Sequence, residues 1–181
     1  VLAGFRGTGK TEIGKVIAAK KLFMVGDPAG GHQQEVVRFE HEWSEKIGVK
    51  HALCLSGGGS EALLWGSAAL GIGPGDVLIV PAYTWIATAE AVLAVGAVPV
   101  VAEVDDTLTL DPTDIERHIT AHTKAIIVVH MRGVPAQMDE IMAVSQRYAI
   151  PVLEDVAQAN GASYHGGKLG TIGAVGCFSL Q

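Results

Sequence analysis

Few cysteines, few aromatic residues and no cluster of basic residues characterise this sequence. Its 181 residues include two cysteines and 6% aromatic residues, and nineteen acidic side chains outnumber thirteen basic ones to give a formal net charge of -6. Cys54 and Cys177 each lie in an apolar, strand-like run, so we interpret them as reduced core residues and not as metal ligands. The scattered basic residues do not form the positive patch that a nucleic acid requires, so we expect no nucleic-acid partner.

Long hydrophobic runs are absent as well. No run approaches the roughly 20 apolar residues that cross a bilayer, and the first residues do not have the charged and then apolar pattern of a signal peptide. We therefore expect a cytoplasmic protein with no membrane partner. Because the chain starts at Val1 and stops at Gln181, directly after a strand-like run, we also expect it to be part of a longer polypeptide.

Hydrophobic residues make up 49% of the chain, which is enough for one well-buried core. From His51 onward, short β-rich runs alternate with helical patterns, which predicts an α/β fold with a mostly parallel sheet flanked by helices. The predicted strands are 52–55, 77–80, 98–102, 124–129, 151–154 and 175–179. The predicted helices are 35–47, 60–70, 85–95, 112–118 and 136–148.

The segment Gly4–Thr11 matches the spacing of a phosphate-binding loop, in which backbone amides and a lysine hold the phosphates of a nucleotide. Such a loop follows a buried strand and opens a firm helix, whereas only three residues precede Gly4. No apolar run that ends in Asp is convincingly placed as the magnesium partner, although Glu154-Asp155 could serve as one. We therefore reject a nucleotide triphosphatase, and we interpret residues 4–20 as a cationic segment with a short helix.

Three predicted strands are followed by residues suited to an anionic, aromatic ligand. Asp155 ends an apolar run, Ser60 follows three glycines and opens a helix, and Trp85 follows the next strand and opens another helix. The carboxyl ends of parallel strands share one edge of a sheet, where α/β proteins bind ligands. Ser60 would cap its helix and donate to a phosphate held at the helix amino terminus. Taken singly, these features have plainer explanations, namely an acidic strand end in water, a capped turn and a packed indole.

A phosphate cradle, a stacking aromatic ring and a carboxylate are the groups that pyridoxal phosphate needs from a protein besides a lysine. The carboxylate matters most, because ionised Asp155 would keep the pyridine nitrogen protonated and the charged ring is the electron sink. Together the three features predict a pyridoxal phosphate site.

Several short motifs between Phe39 and Gln181 occur together in one enzyme family. They are Phe39-Glu40, Gly71-Ile72-Gly73-Pro74-Gly75-Asp76, Pro81-Ala82-Tyr83-Thr84-Trp85, Val129-His130-Met131-Arg132-Gly133, Glu154-Asp155-Val156-Ala157-Gln158-Ala159 and Gly170-Thr171-Ile172-Gly173. By these motifs the chain resembles the DegT/DnrJ/EryC1/StrS sugar aminotransferases, which have the fold type I architecture of aspartate aminotransferase. The resemblance implies an N-terminal segment, residues 1–38, and an incomplete pyridoxal-phosphate-binding large domain, residues 39–181, without the small carboxyl-terminal domain.

The resemblance also implies roles around the cofactor phosphate. Ser60 and Ser179 would bind the phosphate, and Gly59 and Glu61 would offer it backbone N–H groups. Two departures from the family pattern bear on this end of the site. The family usually has Ser-Gly-Thr where this chain has Gly58-Gly59-Ser60, which loosens the loop, and the Glu61 carboxylate would repel a phosphate unless it points away or binds a cation.

Around the cofactor ring, the resemblance implies that Trp85 stacks on one face and that Ala157 packs against the other. Asp155 would pair with the ring nitrogen, and Gln158 would reach the ring hydroxyl. The Schiff-base lysine of the family would lie three positions beyond Gln181, so we expect this stretch alone to be inactive.

The activity that the resemblance implies is transfer of an amino group from glutamate or glutamine to a keto sugar or a nucleotide-linked keto sugar. A homodimer with its active site at the subunit interface is expected on the same ground. Some relatives have histidine at the lysine position and dehydrate sugars with the aminated cofactor, so a dehydratase is an alternative. A catalytically silent pyridoxal-phosphate-binding homologue is another, and Glu61 and the glycine-rich loop favour it.

Other candidate residues leave alternatives open. His130 would line the pocket, or else it is a strand-end histidine satisfied by backbone groups. Arg132 would clamp a sugar phosphate or a carboxylate, or else it is a solvated loop residue. His118 and His122 are four residues apart, but the threonines around them indicate that the helix has ended, so we expect no metal site.

Overall fold

The structure is a computed structural model that describes residues 2–5, 31–55 and 57–180. The described residues form nine strands and five α-helices. The strands are β1 (Leu2–Phe5), β2 (His51–Cys54), β3 (Val77–Pro81), β4 (Val98–Ala102), β5 (Thr123–Val129), β6 (Val152–Asp155), β7 (Ser163–Tyr164), β8 (Gly167–Lys168) and β9 (Val175–Phe178). The helices are α1 (Gly31–Ile47), α2 (Gly58–Ala69), α3 (Ala87–Ala94), α4 (Pro112–His118) and α5 (Met138–Tyr148), and a 3-10 turn spans Met131–Gly133.

Seven of the strands form one sheet in the order β2-β1-β9-β6-β5-β3-β4. The five strands from β9 to β4 are parallel to their neighbours. Strand β1 lies antiparallel between β2 and β9. The predicted α/β fold with a mostly parallel sheet is therefore confirmed.

Both faces of the sheet are covered, which explains why its central strands are continuous apolar runs. Leu78 and Val80 face a core that includes residues of α2 and α3, whereas Ile79 between them faces a core that includes residues of α4 and α5. A third apolar cluster joins α1 to the end of β9, where the ring of Trp43 meets the ring of Phe178 edge-on at 5.5 Å. This cluster holds α1 against the strand end that precedes Ser179.

Local capping fixes the ends of some helices. The Asp111 carboxylate accepts a hydrogen bond of 2.8 Å from the Thr113 N–H, and Pro112 occupies the first turn of α4. Ala149 caps the carboxyl end of α5 in a left-handed conformation with φ 54°. A tight turn through His165 and Gly166, both with positive φ, joins β7 to β8.

The described amino-terminal part contains strand β1 and helix α1. Residues 4–20 were expected to form a cationic segment with a short helix, which is wrong for Gly4 and Phe5, because they pair with β2 and β9 as residues of β1. The rest of that segment and of the phosphate-loop match lies outside the described residues. The boundary expected between residues 38 and 39 falls inside α1. The division of the chain into two parts stays a prediction.

Candidate active site

Residues from several elements meet at the edge of the sheet where the parallel strands end. Asp155 ends β6, Val129 ends β5, Ser179 follows β9, and Thr84 and Trp85 follow β3. One pocket at this edge is lined by Gly59, Ser60, Leu63, Thr84, Trp85, Ala87, Val129, Asp155, Ala157, Gln158 and Ser179. Seven of the eight residues predicted to contact a cofactor therefore lie together, and Glu61 is the exception.

One side of the pocket is the start of α2. The N-cap is Gly57, and no side chain caps the helix. The prediction that Ser60 caps it is wrong, because the helix begins at Gly58 and Ser60 is its third residue. The first N–H groups of a helix have no acceptor within the helix, and the helix dipole adds partial positive charge, so this end of the pocket suits an anion.

Gly59 brings this helix start close to the segment that follows β9. A Cβ atom at position 59 would lie 3.2 Å from the Cβ of Ser179 and 3.7 Å from the Cβ of Ala157. The absence of a side chain at Gly59 therefore lets the start of α2 approach Ser179 and Ala157 closely, and Ser60 and Ser179 both line the pocket.

The Glu61 side chain turns back along α2. Its Oε2 accepts a hydrogen bond from the N–H of Gly57, and its Oε1 accepts one of 3.0 Å from the indole N–H of Trp65. A Cβ on Gly57 would lie 2.7 Å from Oε2, so the glycine makes room for the carboxylate. The Glu61 carboxylate thus satisfies the N-cap amide, an arrangement akin to a capping box, and lies outside the pocket lining.

Asp155 is the buried acid of the pocket, with 6% of its surface exposed. Oδ1 accepts a hydrogen bond of 3.1 Å from the Ala157 N–H, and Oδ2 accepts one of 3.2 Å from the hydroxyl of Thr88. The pKa of Asp155 is raised, because the effect of burial exceeds the lowering by the hydrogen bonds from Ala157 and Thr88 and by the nearby His130. These donors offset part of the cost of a buried charge.

Gln158 is held by the turn after β5. Its Oε1 accepts a hydrogen bond of 2.9 Å from the backbone N–H of Arg132. Arg132 has φ 52° and Gly133 has φ 83°, a tight left-handed turn that aims this N–H at Gln158. Because Oε1 is engaged, Nε2 is the atom of Gln158 that can donate a hydrogen bond to a ligand. Arg132 itself is exposed, as a solvated loop residue would be.

Trp85 stands at the mouth of the pocket. Its side chain lines the pocket, yet the residue is 70% exposed, and its neighbour Ile86 is 60% exposed. A large apolar surface is therefore uncovered beside the site in the single chain.

A buried acid and histidine lie behind the pocket. Glu154 and His130 are both fully buried, and His130 Nε2 lies 3.1 Å from Glu154 Oε2. His130 Nδ1 accepts a hydrogen bond of 3.1 Å from the Ala136 N–H, so a neutral ring carries its proton on Nε2 and donates it to Glu154. Of the two alternatives for His130, the structure supports the histidine satisfied by its surroundings, because it is absent from the pocket lining.

No role in the cofactor site was predicted for Glu154, although it stands next to Asp155. Besides His130, three backbone N–H groups donate to its carboxylate: Gly170 at 2.8 Å, Ile172 at 2.8 Å and Gly173 at 2.6 Å. Glu154 therefore ties the loop before β9 to strand β6. The sequence signal was the alternation of a strand, which points two consecutive acids to opposite faces of the sheet.

Elsewhere, a larger cleft of about 620 Å³ lies at the opposite edge of the sheet, near Thr123 and Pro151, and it contains no residue predicted for the site. Among the described residues, no group of three His, Cys, Asp or Glu side chains could hold a metal ion. His118 contacts Asp114 at 3.1 Å in the last turn of α4.

Within the part of the chain that the structure describes, no helix has the length and apolar character needed to cross a membrane.

The sequence profile of the DegT/DnrJ/EryC1/StrS aminotransferases matches residues 25–181. The chain belongs to this family. It is 45% identical over 172 residues to UDP-N-acetyl-3-dehydro-alpha-D-glucosamine 3-aminotransferase of Acidithiobacillus ferrooxidans, which covers 94% of this chain and 44% of that protein. It is 38% identical over 174 residues to L-glutamine:2-deoxy-scyllo-inosose aminotransferase of Streptomyces lividus, covering 96% of this chain and 41% of the relative.

Solved structures of the family agree with the fold. NtdA of Bacillus subtilis, solved with the bound cofactor PMP, superimposes with a TM-score of 0.70 at 32% identity, over 86% of this chain and 35% of that one. The fold type I architecture expected of a DegT/DnrJ/EryC1/StrS protein is thereby confirmed. The chain spans about two fifths of the length of the curated relatives described above.

Proposed function

We propose that this chain binds pyridoxal 5'-phosphate and belongs to an aminotransferase that moves the amino group of glutamate or glutamine onto a keto sugar or a nucleotide-linked keto sugar. The observation that carries the proposal is the position of the buried Asp155 carboxylate, in the same pocket as the start of α2. The names of the two curated relatives, which act on a keto-inositol with glutamine and on a UDP-linked keto sugar, support the substrate class.

The residues present fit the cofactor. The phosphate end has the helix dipole and N–H groups of α2 and the hydroxyls of Ser60 and Ser179, and Gly59 leaves the space that a Cβ would fill. The Glu61 carboxylate, which would repel a phosphate, is engaged by Gly57 and Trp65. This contact removes one of the two features that favoured a catalytically silent homologue. Direct contact of the Glu61 N–H with the phosphate stays a prediction.

When bound, pyridoxal phosphate supplies an electron sink for moving an amino group between carbon atoms. Asp155 would hold the proton on the pyridine nitrogen, because an opposite charge favours the protonated form. Trp85 and Ala157 would hold the ring between them, and Gln158 Nε2 would donate to the ring hydroxyl. A lysine expected beyond Gln181 would act as the general base and acid that shifts a proton between carbon atoms during amino transfer.

The first experiment tests the role of Asp155 in the whole natural polypeptide. Asp155→Asn should reduce turnover of glutamate with a keto sugar nucleotide by at least about a hundredfold while leaving the circular dichroism spectrum unchanged. Asp106→Asn makes the same chemical change on an exposed loop residue and should keep full turnover. Near-normal turnover of the Asp155 variant would overturn the proposed role of this residue.

Peptide mapping of the borohydride-reduced native protein distinguishes the family activities. Reduced cofactor on a lysine three residues beyond Gln181 would support amino transfer, and a histidine at that position would move the function to dehydration. An absorbance band of bound cofactor that glutamate or glutamine bleaches would exclude the catalytically silent homologue, and the absence of any band would support it.

A homodimer and a cytoplasmic location complete the proposal. The exposed Trp85 and Ile86 beside the pocket support a second subunit that covers this surface. Light scattering of the purified protein should give twice the mass of the polypeptide, and a monomer mass would contradict the dimer. Cell fractionation tests the location.

A further inference from the structure

Thr88 is a buried polar residue behind the pocket that no cofactor contact explains. It lies in the first turn of α3, its surface exposure is 0%, and it is absent from the pocket lining. Its hydroxyl is 3.2 Å from Asp155 Oδ2 and 2.8 Å from the hydroxyl of Thr84. The two threonines and Asp155 therefore form a chain of hydrogen bonds that runs from the pocket wall to the back of the carboxylate.

The chemistry of the groups sets the direction of this chain. An ionised carboxylate can only accept hydrogen bonds, so the Thr88 hydroxyl must donate its single proton to Asp155. Thr84 must then be the donor to Thr88. Each oxygen of Asp155 thus has one fixed donor, Ala157 N–H at Oδ1 and Thr88 at Oδ2, which fixes the plane of the carboxylate.

We propose that Thr88, supported by Thr84, is a positioning residue for the cofactor, because its hydroxyl fixes the Asp155 carboxylate in the orientation that pairs with the pyridine nitrogen. The inference rests on the proposed function, since it concerns how Asp155 meets the cofactor ring. It also concerns which protonation state Asp155 adopts, because a donor to the ionised form favours that form.

Other titratable groups lie near Asp155 and remain in place in the variants described below. His130 lies beyond the end of β5, Glu154 precedes Asp155 in β6, and Cys177 lies on the neighbouring strand β9. A change seen only when the Thr88 hydroxyl is removed can therefore be assigned to that hydroxyl.

Two substitutions separate the hydroxyl from the packing of Thr88. Thr88→Val keeps the shape and removes the hydroxyl, whereas Thr88→Ser keeps the hydroxyl and removes a buried methyl group. A purely structural role predicts that the serine variant is the more damaged, because it leaves a cavity. Our inference predicts that the valine variant is the more damaged, both in the pKa of Asp155 and in the binding of the cofactor. Thermal unfolding of both variants identifies any loss of folding.

The first measurement needs no cofactor. The side-chain carboxyl ¹³C signal of Asp155 is followed against pH in the cofactor-free protein. Removal of the Thr88 donor should raise the pKa of Asp155 in Thr88→Val, and Thr88→Ser should match the parent. If the titrations of the valine and serine variants coincide, the inference is overturned whatever the protein binds.

The second measurement is calorimetric binding of pyridoxamine 5'-phosphate, the aminated cofactor, which needs no bond to a lysine. Thr88→Val should bind at least about tenfold more weakly than the parent at neutral pH, and its binding should fail at a higher pH as the solution is acidified. Thr88→Ser should bind like the parent, and equal binding by all three would overturn the inference. If Thr88→Val changes the titration of Asp155 but the parent protein does not bind pyridoxamine 5'-phosphate, the proposed function is overturned instead.

Discussion

Replacing Glu154 by glutamine should strongly destabilise the fold. The Glu154 carboxylate accepts four hydrogen bonds inside the protein, from Gly170 and His130 at Oε2 and from Ile172 and Gly173 at Oε1. A glutamine has one oxygen that can accept and one NH2 group that can only donate. In either orientation of the amide, the NH2 group therefore faces two donors that have lost their acceptor.

His130 cannot relieve this conflict by moving its proton. Its Nδ1 accepts from the N–H of Ala136, so a neutral ring must keep the proton on Nε2, facing position 154. Each buried donor without an acceptor costs about 1 to 3 kcal/mol, so two of them give a loss of about 2 to 6 kcal/mol in the free energy of unfolding. This is a large part of the roughly 5 to 15 kcal/mol that stabilises a typical domain.

Urea unfolding of the parent and the variant, followed by circular dichroism, measures the loss. Glu103→Gln is the matched control, because it makes the same chemical change on an exposed side chain and should alter stability by less than about 0.5 kcal/mol. A loss of less than 1 kcal/mol in Glu154→Gln would refute the reasoning.

Three further experiments have defined outcomes. Ala149→Gly should raise the free energy of unfolding by about 0.5 to 1 kcal/mol, because Ala149 is exposed and left-handed at the end of α5; an unchanged value in urea unfolding would show that the residue is not strained. Burial raises the pKa of Asp155, so its contribution to stability is largest in acid and is lost as the pH rises through that pKa. Asp155→Asn in the cofactor-free protein should therefore unfold at a higher temperature than the parent at neutral pH, with a difference that shrinks in acid, and a lower neutral Tm is the contrary result. Burial and the nearby charges raise the pKa of Cys177, so iodoacetamide should label the half-buried Cys54 first, and equally fast labelling of both thiols would argue against this packing.

The features that the sequence predicted correctly depend on local signals or on the general topology of parallel sheets. Helix α4 was predicted residue for residue, because Asp111 and Pro112 mark its start in the sequence itself. The meeting of Asp155 and Trp85 at one edge was predicted from topology, since parallel strands end on the same side of their sheet. The start of α2 was misplaced because Gly58 and Gly59 have no helical propensity that would mark it.

The features that the sequence did not predict depend on contacts between distant residues. The partners of Glu154 lie 16 to 24 positions away, and Thr88 is 67 positions from Asp155. Strand β1 pairs with strands near residues 51 and 175, and no local pattern in four residues announces such neighbours. Hydrogen bonds of this kind follow from the completed fold and leave no periodicity in the chain.

The adjacency of the two acids in β6 has an evolutionary consequence. Glu154 holds the loop before β9 on one side of the sheet, and Asp155 faces the pocket on the other. Insertion or deletion of a single residue within this strand would exchange the two sides and place each acid in the environment of the other. Apolar substitutions at Val152 or Leu153 preserve the arrangement, so the length of this strand is more tightly constrained than the identity of its hydrophobic residues.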